Sequence, residues 1–172
     1  RAAAWSPAGE PVRLRLDGLG RPGPGAIYLS DLEAVVAQAH GGVRRDRDYG
    51  GDEGFELRGR HLARGLLVCP RADGPGEAVF DLTGHPERRT LRASLGIEDA
   101  TGLIGSVVFA VEVDDGADGW RRLYTSEVLR GGGAVTLLSL PLGPCRRLRL
   151  LCTDAGDSHN SDHAVWGDAR LE

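Results

Sequence analysis

Glycine divides this chain into short segments in which apolar and polar residues alternate. The 172 residues include 26 glycines, and runs such as "EAVFDL", "TLRASLGI" and "GSVVFAVEVD" lie between them. A two-residue period is that of a β-strand with one buried face, and breaks rich in glycine or aspartate are typical of turns. Eight or more such runs follow one another. The pattern predicts an all-β fold, an antiparallel β-sandwich.

One segment carries two periods at once. In "SDLEAVVAQAHGG", Leu32, Val35 and Val36 fall at helical spacing, and Ser30 with Glu33 forms a capping box. The same stretch also alternates in the way that a strand requires. Local rules alone therefore leave helix and strand open for residues 30–39.

Charge and hydropathy exclude two classes of partner. The chain has a net charge of −4 and no lysine, whereas a nucleic-acid surface needs clustered lysine and arginine. No apolar run approaches the roughly 18 residues of a membrane-spanning helix. The first residues, "RAAAWSPAGEP", lack the apolar core of a signal peptide. We expect no nucleic-acid or membrane partner, and a soluble domain that has been excised or already processed.

The three cysteines are predicted to be unpaired. Cys145 and Cys152 flank "RRLRLL", which is predicted as one strand, and about 3.3 Å per residue places them too far apart for a disulfide. Cys69 has no obligatory partner, and the spacing lacks the CxxC pairs of a zinc site. In the predicted strand, Cys152 shares a face with Leu148 and Leu150, which indicates a small buried apolar residue.

The end of the chain contains the residue types of a hydrolase triad, in Ser161, Asp162 and His163. Consecutive residues of an extended chain point to opposite faces, so local geometry cannot make the three side chains converge. A G-x-S-x-G motif is also absent from the sequence. We predict that the chain is not an enzyme.

Four oxygen donors lie within nine residues of the same region, namely Asp154, Asp157, Asn160 and Asp162. Calcium takes hard oxygen ligands of this kind, although the spacing does not match an EF-hand. The alternative is a turn-rich loop whose side chains accept hydrogen bonds from its own backbone. The sequence leaves both interpretations open.

Five segments, taken in order, resemble the NPCBM family of carbohydrate-binding modules, which is related to family 51. They are "YLSDLEAV", "RRDRDYGGDEGFELRGRHLARGLLV", "LRASLGIEDATGLIGSVVFAVEVD", "LYTSEVLRGG" and "LRLLCTDAGDSHNSDHAVWGDARL". The resemblance extends from about residue 27 to residue 171. Its most specific parts are "YLSDL", the pair Gly96 and Ile97 with Asp99, and "DHAVWGDA".

The resemblance implies a jelly-roll-like β-sandwich of the galactose-binding-domain type. We expect the sandwich to occupy residues 27–172, and residues 1–26 to form an N-terminal extension with a first strand. In the family the stretch after "YLSDL" is a strand, so we predict a strand over residues 30–39, where tertiary pairing overrides the helical signal. Trp166 lies inside the predicted terminal strand and is expected to pack in the core.

The resemblance also implies a structural calcium that ties the first strand to the last. The candidate ligands that carry over are Asp31 and Asp168, together with the turn at Glu98 and Asp99. The alternative is that these acids only cap turns.

Sugar binding requires an aromatic face for the ring and planar polar groups for its hydroxyls. The loop that holds His159, Asn160 and His163 is predicted to supply the polar groups, and Trp120 or Tyr124 the aromatic face. The resemblance implies a galactose-type glycan as the ligand.

The chain departs from the family at one loop. Where the family has Gly-Leu-Gly-Val-His-Ala, this chain reads "GLLVCP", so Cys69 replaces a histidine and Pro70 removes a backbone donor. Two functions therefore stay open. One is a secreted or cell-surface module that targets an attached glycoside hydrolase or other protein to glycans. The other is a structural or protein-interaction sandwich that has lost sugar binding.

Overall fold

A computed structural model describes residues 4–5, 11–12 and 19–172. These residues form strands joined by turns, with two 3₁₀ helices, η1 (Leu29–Asp31) and η2 (Asp99–Thr101). The strands are β1 (Ala4–Trp5), β2 (Pro11–Val12), β3 (Ile27–Tyr28), β4 (Val36–Gln38), β5 (Arg44–Arg45), β6 (Phe55–Leu57), β7 (Arg60–Leu62), β8 (Gly65–Leu67), β9 (Gly76–Asp81), β10 (Thr90–Ile97), β11 (Ser106–Asp114), β12 (Arg121–Thr125), β13 (Leu129–Arg130), β14 (Thr136–Pro141), β15 (Arg147–Thr153) and β16 (Ala164–Leu171).

Two antiparallel sheets make up the sandwich. The first has the order β14-β10-β16-β8-β5, with β3 also paired to β16. The second has the order β12-β11-β15-β9-β4, with β13 also paired to β11. The predicted all-β antiparallel fold is confirmed. Within the described part of the chain, neither short helix has the length or apolarity to cross a membrane.

The core lies between the two sheets. In β15, alternate residues Leu148, Leu150 and Cys152 point inward and are fully buried. From the facing sheet, the Trp166 ring meets Phe109 edge-on, with 5.1 Å between ring centroids. The indole Nε1 of Trp166 donates a hydrogen bond of 3.3 Å to the sulfur of Cys152. The predicted core positions of Cys152 and Trp166 are confirmed.

The β6–β7 hairpin covers the outer face of the first sheet and forms a second apolar cluster there. Glycine at two sheet positions lets the hairpin approach. A Cβ at Gly167 would lie 2.3 Å from Cδ1 of Leu62, and one at Gly96 would lie 3.1 Å from Cδ2 of Leu57. The hairpin turns at Arg58 and Gly59, both with positive φ, which suits the right-handed twist of the paired strands.

The strand predicted over residues 30–39 is shorter than expected. Residues 29–31 form η1, and only Val36–Gln38 pairs with a neighbour, β9. The helical alternative fails because the backbone of this segment pairs with β9. Val35 is 58% exposed, while its N–H donates to the carbonyl of Val79 in β9. Sheet pairing therefore decides this segment, as the resemblance implied.

All three cysteines lie in the described residues and are unpaired, as predicted. Cys152 lies in β15 and Cys145 precedes it, so the strand separates them. The alternation of Val12, Leu14 and Leu16 with polar residues predicts the first strand. Val12 lies in β2, which pairs with β1. Leu14 and Leu16 fall outside the described residues.

An arginine joins the N-terminal segment to the last strand. Arg170 in β16 is 1% exposed, and its guanidinium donates to the carbonyls of Leu19 and Gly20 and to the carboxylate of Glu172. Nearby, β3 pairs with the end of β16. This end of the sandwich therefore holds both the entry of the chain into the sheets and its exit from them.

Candidate functional site

A cleft of about 160 Å³ opens at the other end of the sandwich, where β16 begins. Its lining comes from four connecting segments. His40 follows β4, Tyr49 follows β5, Cys69 follows β8, and residues 159–163 lead into β16. Polar and aromatic side chains that are distant in sequence thus meet around one small opening.

The loop between β15 and β16 is shaped by its own acidic side chains. Asp154 accepts a hydrogen bond of 3.0 Å from the N–H of Gly156, which follows a residue with positive φ. Asp157 accepts hydrogen bonds from the Ser158 N–H at 2.7 Å and from the Ser106 hydroxyl at 2.6 Å. The Ser106 hydroxyl is the largest factor that lowers the pKa of Asp157. These contacts match the turn-capping interpretation of the acidic loop.

Aromatic rings form one wall of the cleft. The rings of Tyr49 and His163 stack with 4.4 Å between centroids. His40 lies 5.3 Å from His159 and 6.2 Å from Tyr49, again between ring centroids. The guanidinium of Arg44 lies 4.8 Å from the centroid of the Tyr49 ring. Tyr49 is thus held in place by its neighbours while part of it faces the cleft.

Buried polar atoms form the floor. Asp162 is 1% exposed; its Oδ1 accepts a 2.7 Å hydrogen bond from the Ser106 N–H, whereas its Oδ2 has no partner among the described residues. Below it, Oε2 of Glu98 and Nδ1 of His163 are also buried and unpaired, 3.7 Å apart. Buried polar groups normally have partners, so three unpaired atoms around one cleft point to a ligand or to water.

Burial is the largest cause of the pKa shifts of Asp162 and Cys69 in the cleft. It raises the pKa of Asp162 to about 6, and the nearby Asp157 and Asp154 act in the same direction, while the Ser106 N–H opposes them. Burial likewise raises the pKa of the Cys69 thiol to about 12. Because the thiolate is the nucleophile, we expect Cys69 to react poorly at neutral pH.

The structure brings together three of the residues predicted to bind sugar and separates the other two. His159, Asn160 and His163 line the cleft. Tyr124 does not: it is 9% exposed and packs in the core, where burial raises its pKa to about 12. Trp120 does not line the cleft either, because it packs against the guanidinium groups of two β15 arginines.

Tyr49 takes the place that was predicted for Trp120 or Tyr124. It lies in "RRDRDYGGDEG", a loop without alternation. Pairing of β5 with β8 brings this loop beside Cys69 and the start of β16. The signal in the sequence is a tyrosine among glycines and aspartates in a loop, where binding residues are common. In the structure Tyr49 also packs against the second apolar cluster.

The four candidate calcium ligands do not form a common site. Each carboxylate oxygen of Asp99 accepts a backbone N–H of the hairpin turn, from Arg58 at 2.8 Å and Gly59 at 2.6 Å. Glu98 lies beneath the cleft, 3.7 Å from His163, and does not line it. Asp168 is four residues along β16 from the cleft, about 13 Å. Among the described residues, no three His, Cys, Asp or Glu side chains are arranged to hold a metal.

Asp31, the remaining candidate, pairs with Arg64. The turn-capping alternative therefore describes Asp99, and an ion pair describes Asp31. Both carboxylate oxygens of Asp99 and one of Asp31 are thus engaged by protein groups.

Residues 25–172 match the sequence profile of the NPCBM/NEW2 domain. The chain belongs to the NPCBM/NEW2 family. The match covers most of the chain and includes every residue of the cleft, so the resemblance seen in the sequence is confirmed.

Solved structures share the fold. A CBM51 module from Clostridium perfringens GH95, determined in complex with methyl-galactose, superposes with a TM-score of 0.74 at 25% identity, covering 86% of this chain and 99% of that one. A Clostridium perfringens ZmpB structure, containing the M60 catalytic domain with CBM51-1 and CBM51-2, gives a TM-score of 0.70 at 30% identity, covering 85% of this chain and 15% of that one. The NPCBM fold is therefore that of the CBM51 modules.

A sequence relative from Renibacterium salmoninarum carries the name "Putative endo-alpha-N-acetylgalactosaminidase". It is 26% identical over 155 residues, which are 89% of this chain and 10% of the relative. The chain thus spans a tenth of this relative and a similar share of the ZmpB structure. In both proteins the NPCBM-like segment is one part of a much longer polypeptide.

Proposed function

We propose that this chain is a non-catalytic module that binds the terminal residue of a neutral, galactose-type glycan in the cleft at the start of β16. In this role it holds an attached enzyme or other protein at glycans outside the cell. Membership of the NPCBM family supports the ligand class. The methyl-galactose complex of the Clostridium perfringens GH95 module supports the galactose type.

The observation that carries the proposal is the set of unpaired buried atoms in the floor. Oδ2 of Asp162 is an acceptor without a donor among the described residues, and Nδ1 of His163 has only Glu98 near it, 3.7 Å away. Sugar hydroxyls both donate and accept, so one ring placed in the cleft would supply the donor that Asp162 lacks. Asn160, exposed on the rim, adds an amide that does both as well.

The size and charge of the cleft define which glycan fits. Its volume of about 160 Å³ is below the ~300–1,000 Å³ of pockets that take drug-sized ligands, so it suits one sugar ring and not a chain. Asp154, Asp157 and Asp162 all lie in its loop, and an acidic sugar would be repelled by them. A neutral terminal residue is the ligand that meets both limits.

Affinity is expected to be modest. Each hydrogen bond to the sugar replaces one to water, and contributes about 1 kcal/mol net. A site with a few such bonds and little buried area gives a dissociation constant on the order of 0.1–1 mM.

Calorimetric titration with methyl-galactoside, lactose, glucose and a sialylated galactoside tests the proposal. We expect heat of binding for the first two sugars and none for the sialylated one. Asn160→Ala and His163→Ala should each weaken binding about tenfold, the loss of one buried hydrogen bond to a sugar. His61→Ala is the matched control, because His61 is exposed on the hairpin and pairs with Glu56.

The second candidate function, a protein-interaction module, rests on a different observation. Leu103 and Ile104 are 86% and 63% exposed in the loop that precedes β11. This loop lies beside the cleft, because a Cβ at Gly105 would lie 2.4 Å from the carbonyl of Ser161. Absence of binding across a broad glycan panel at millimolar sugar would overturn the first proposal and favour this one.

A further inference from the structure

Arg64 occupies the centre of a polar junction between the first and last parts of the sandwich. Its guanidinium pairs with Asp31, lies 3.2 Å from Oδ2 of Asp46, and donates a 3.3 Å hydrogen bond to the Ser30 hydroxyl. It also lies 4.7 Å from the centroid of the Tyr28 ring. One side chain thus contacts β3, η1 and the turn after β5.

The backbone of the same residue reaches the last strand. The carbonyl of Arg64 accepts a 2.8 Å hydrogen bond from the N–H of Asp168 in β16. Its chain neighbour Gly65 donates to Oδ1 of Asp46 at 2.8 Å and accepts from the Asp46 N–H at 3.0 Å. Arg64 therefore links four chain segments, including the first and last strands of the first sheet.

Two carboxylates, those of Asp31 and Asp46, already face the single guanidinium at this junction. Burial lowers the pKa of Arg64, but Asp31 and Asp46 raise it by more, so the net direction is upward. A divalent cation placed against the same two carboxylates would be repelled by Arg64 and would have to displace it.

Asp168 does not complete a metal site with these two carboxylates. Among the described residues, no three His, Cys, Asp or Glu side chains are arranged to hold a metal ion. The cationic group at this junction is therefore an arginine side chain.

We propose that Arg64 takes the place of a structural calcium ion in this chain, its guanidinium holding Asp31 and Asp46 while its backbone carbonyl holds β16, and that the fold needs no metal. An arginine suits this role because it presents five donors in a fixed plane and remains charged at every physiological pH. The proposal concerns stability only, so it stands or falls independently of sugar binding.

Thermal unfolding of the full chain tests it. The melting temperature of the wild-type protein should be the same in excess EDTA and in 5 mM calcium chloride, because a ligand that binds only the native state would raise it. Arg64→Ala should lower the melting temperature by about 4 °C or more in both buffers, as expected for a loss above 1 kcal/mol in a domain of this size. Arg64→Lys, which keeps the charge but not the planar fork, should lie between the two.

Arg45→Ala is the matched control, since Arg45 pairs with an exposed carboxylate, Glu33, at the surface. It should shift the melting temperature by about 1 °C or less. The proposal is overturned if EDTA lowers the wild-type melting temperature, if elemental analysis finds one calcium per chain, or if Arg64→Ala melts like Arg45→Ala. The wild-type measurements decide the question even if Arg64→Ala fails to fold.

Discussion

Oε2 of Glu98 faces Nδ1 of His163 across 3.7 Å beneath the cleft, and neither atom has another polar partner among the described residues. The His163 ring also stacks on the Tyr49 ring, with 4.4 Å between the ring centroids. Glu98 and Tyr49 therefore fix the position of a histidine that lines the cleft. Glu98 is 2% exposed and does not line the cleft, so its influence on a ligand passes through His163.

A double-mutant cycle measures this coupling. Glu98→Gln should weaken galactoside binding about three- to tenfold, because His163 loses the charged group that orients it. In the His163→Ala background the same change should have no further effect. Calorimetry on the four proteins provides the cycle. Equal losses from Glu98→Gln in both backgrounds would show that the residue acts on general stability and not through His163.

Asp162 should make the protein less stable as the pH rises from about 4 to about 6. Its pKa is about 6 in the folded state against 3.8 for an unperturbed group, so the native state holds the proton more tightly than the unfolded state does. Stability conferred by the neutral form is present below pH 4 and is lost through pH 6, by at most about 3 kcal/mol. Asp162→Asn should remove this slope and stabilise the protein at pH 7.

Asp157→Asn is the control for that measurement, because Asp157 contributes to the pH dependence of stability with the opposite sign. The pKa of Asp157 is lowered, so its ionised form stabilises the native state at neutral pH, and this contribution is lost as the pH falls. Denaturant unfolding at pH 4, 5, 6 and 7 compares the three proteins. A wild-type slope that survives in Asp162→Asn would contradict the assignment to Asp162.

Tyr49→Ala should abolish detectable sugar binding, whereas Trp120→Ala should leave it unchanged. Tyr49 lines the cleft and supports His163, while Trp120 packs on Arg147 and Arg149 of the second sheet. Chemical shifts of the His159 and His163 rings during a galactose titration report the site directly. Loss of binding in Trp120→Ala with an intact fold would place the sugar on the second sheet.

All three thiols should react with a thiol reagent in denaturant without reductant, and Cys69 and Cys152 should not react in the native protein. Burial raises the pKa of both thiols, and the unionised group is a poor nucleophile. Cys145 is partly exposed and should react slowly. A count of one thiol in denaturant would indicate a disulfide and contradict the predicted separation along β15.

Gly167→Ala should destabilise the fold by about 1–3 kcal/mol, because the new methyl group would overlap the hairpin side chain of Leu62. Gly84→Ala is the matched control: an added Cβ there meets nothing within 4 Å, and its φ is negative or extended. Urea unfolding of both variants measures the difference. Equal stability of the two would mean that the hairpin does not pack closely on the sheet.

The sequence predicts the long strands of the two sheets better than the segments that lie between them. Strand period and turn residues are local properties, so β10, β11, β15 and β16 were foreseeable from alternation alone. Residues 30–39 were not, because both periods fit and the choice depends on pairing with Val79 of β9. The hairpin that covers the first sheet likewise depends on glycines in strands distant from it in sequence.

The residues of the candidate site also fall into two groups, those close together in the sequence and those that only sheet pairing brings to the cleft. His159, Asn160 and His163 are close in the chain, and their shared loop was visible as a dense polar segment. Tyr49 and Glu98 reach the cleft only through sheet pairing, which the sequence does not specify. Trp120 and Tyr124 lie near strands with recognisable periods, whereas Tyr49, the tyrosine that lines the cleft, lies in a loop that has none.

The cleft and the connections of the chain lie at opposite ends of β16, about 23 Å apart along the strand. The strand that first enters the sandwich sheets, β3, and the end of β16 therefore lie away from the opening. Two such modules on one tether could then engage two branches of a surface glycan at once. Millimolar contacts joined in this way give an avidity that exceeds either contact by about two orders of magnitude or more.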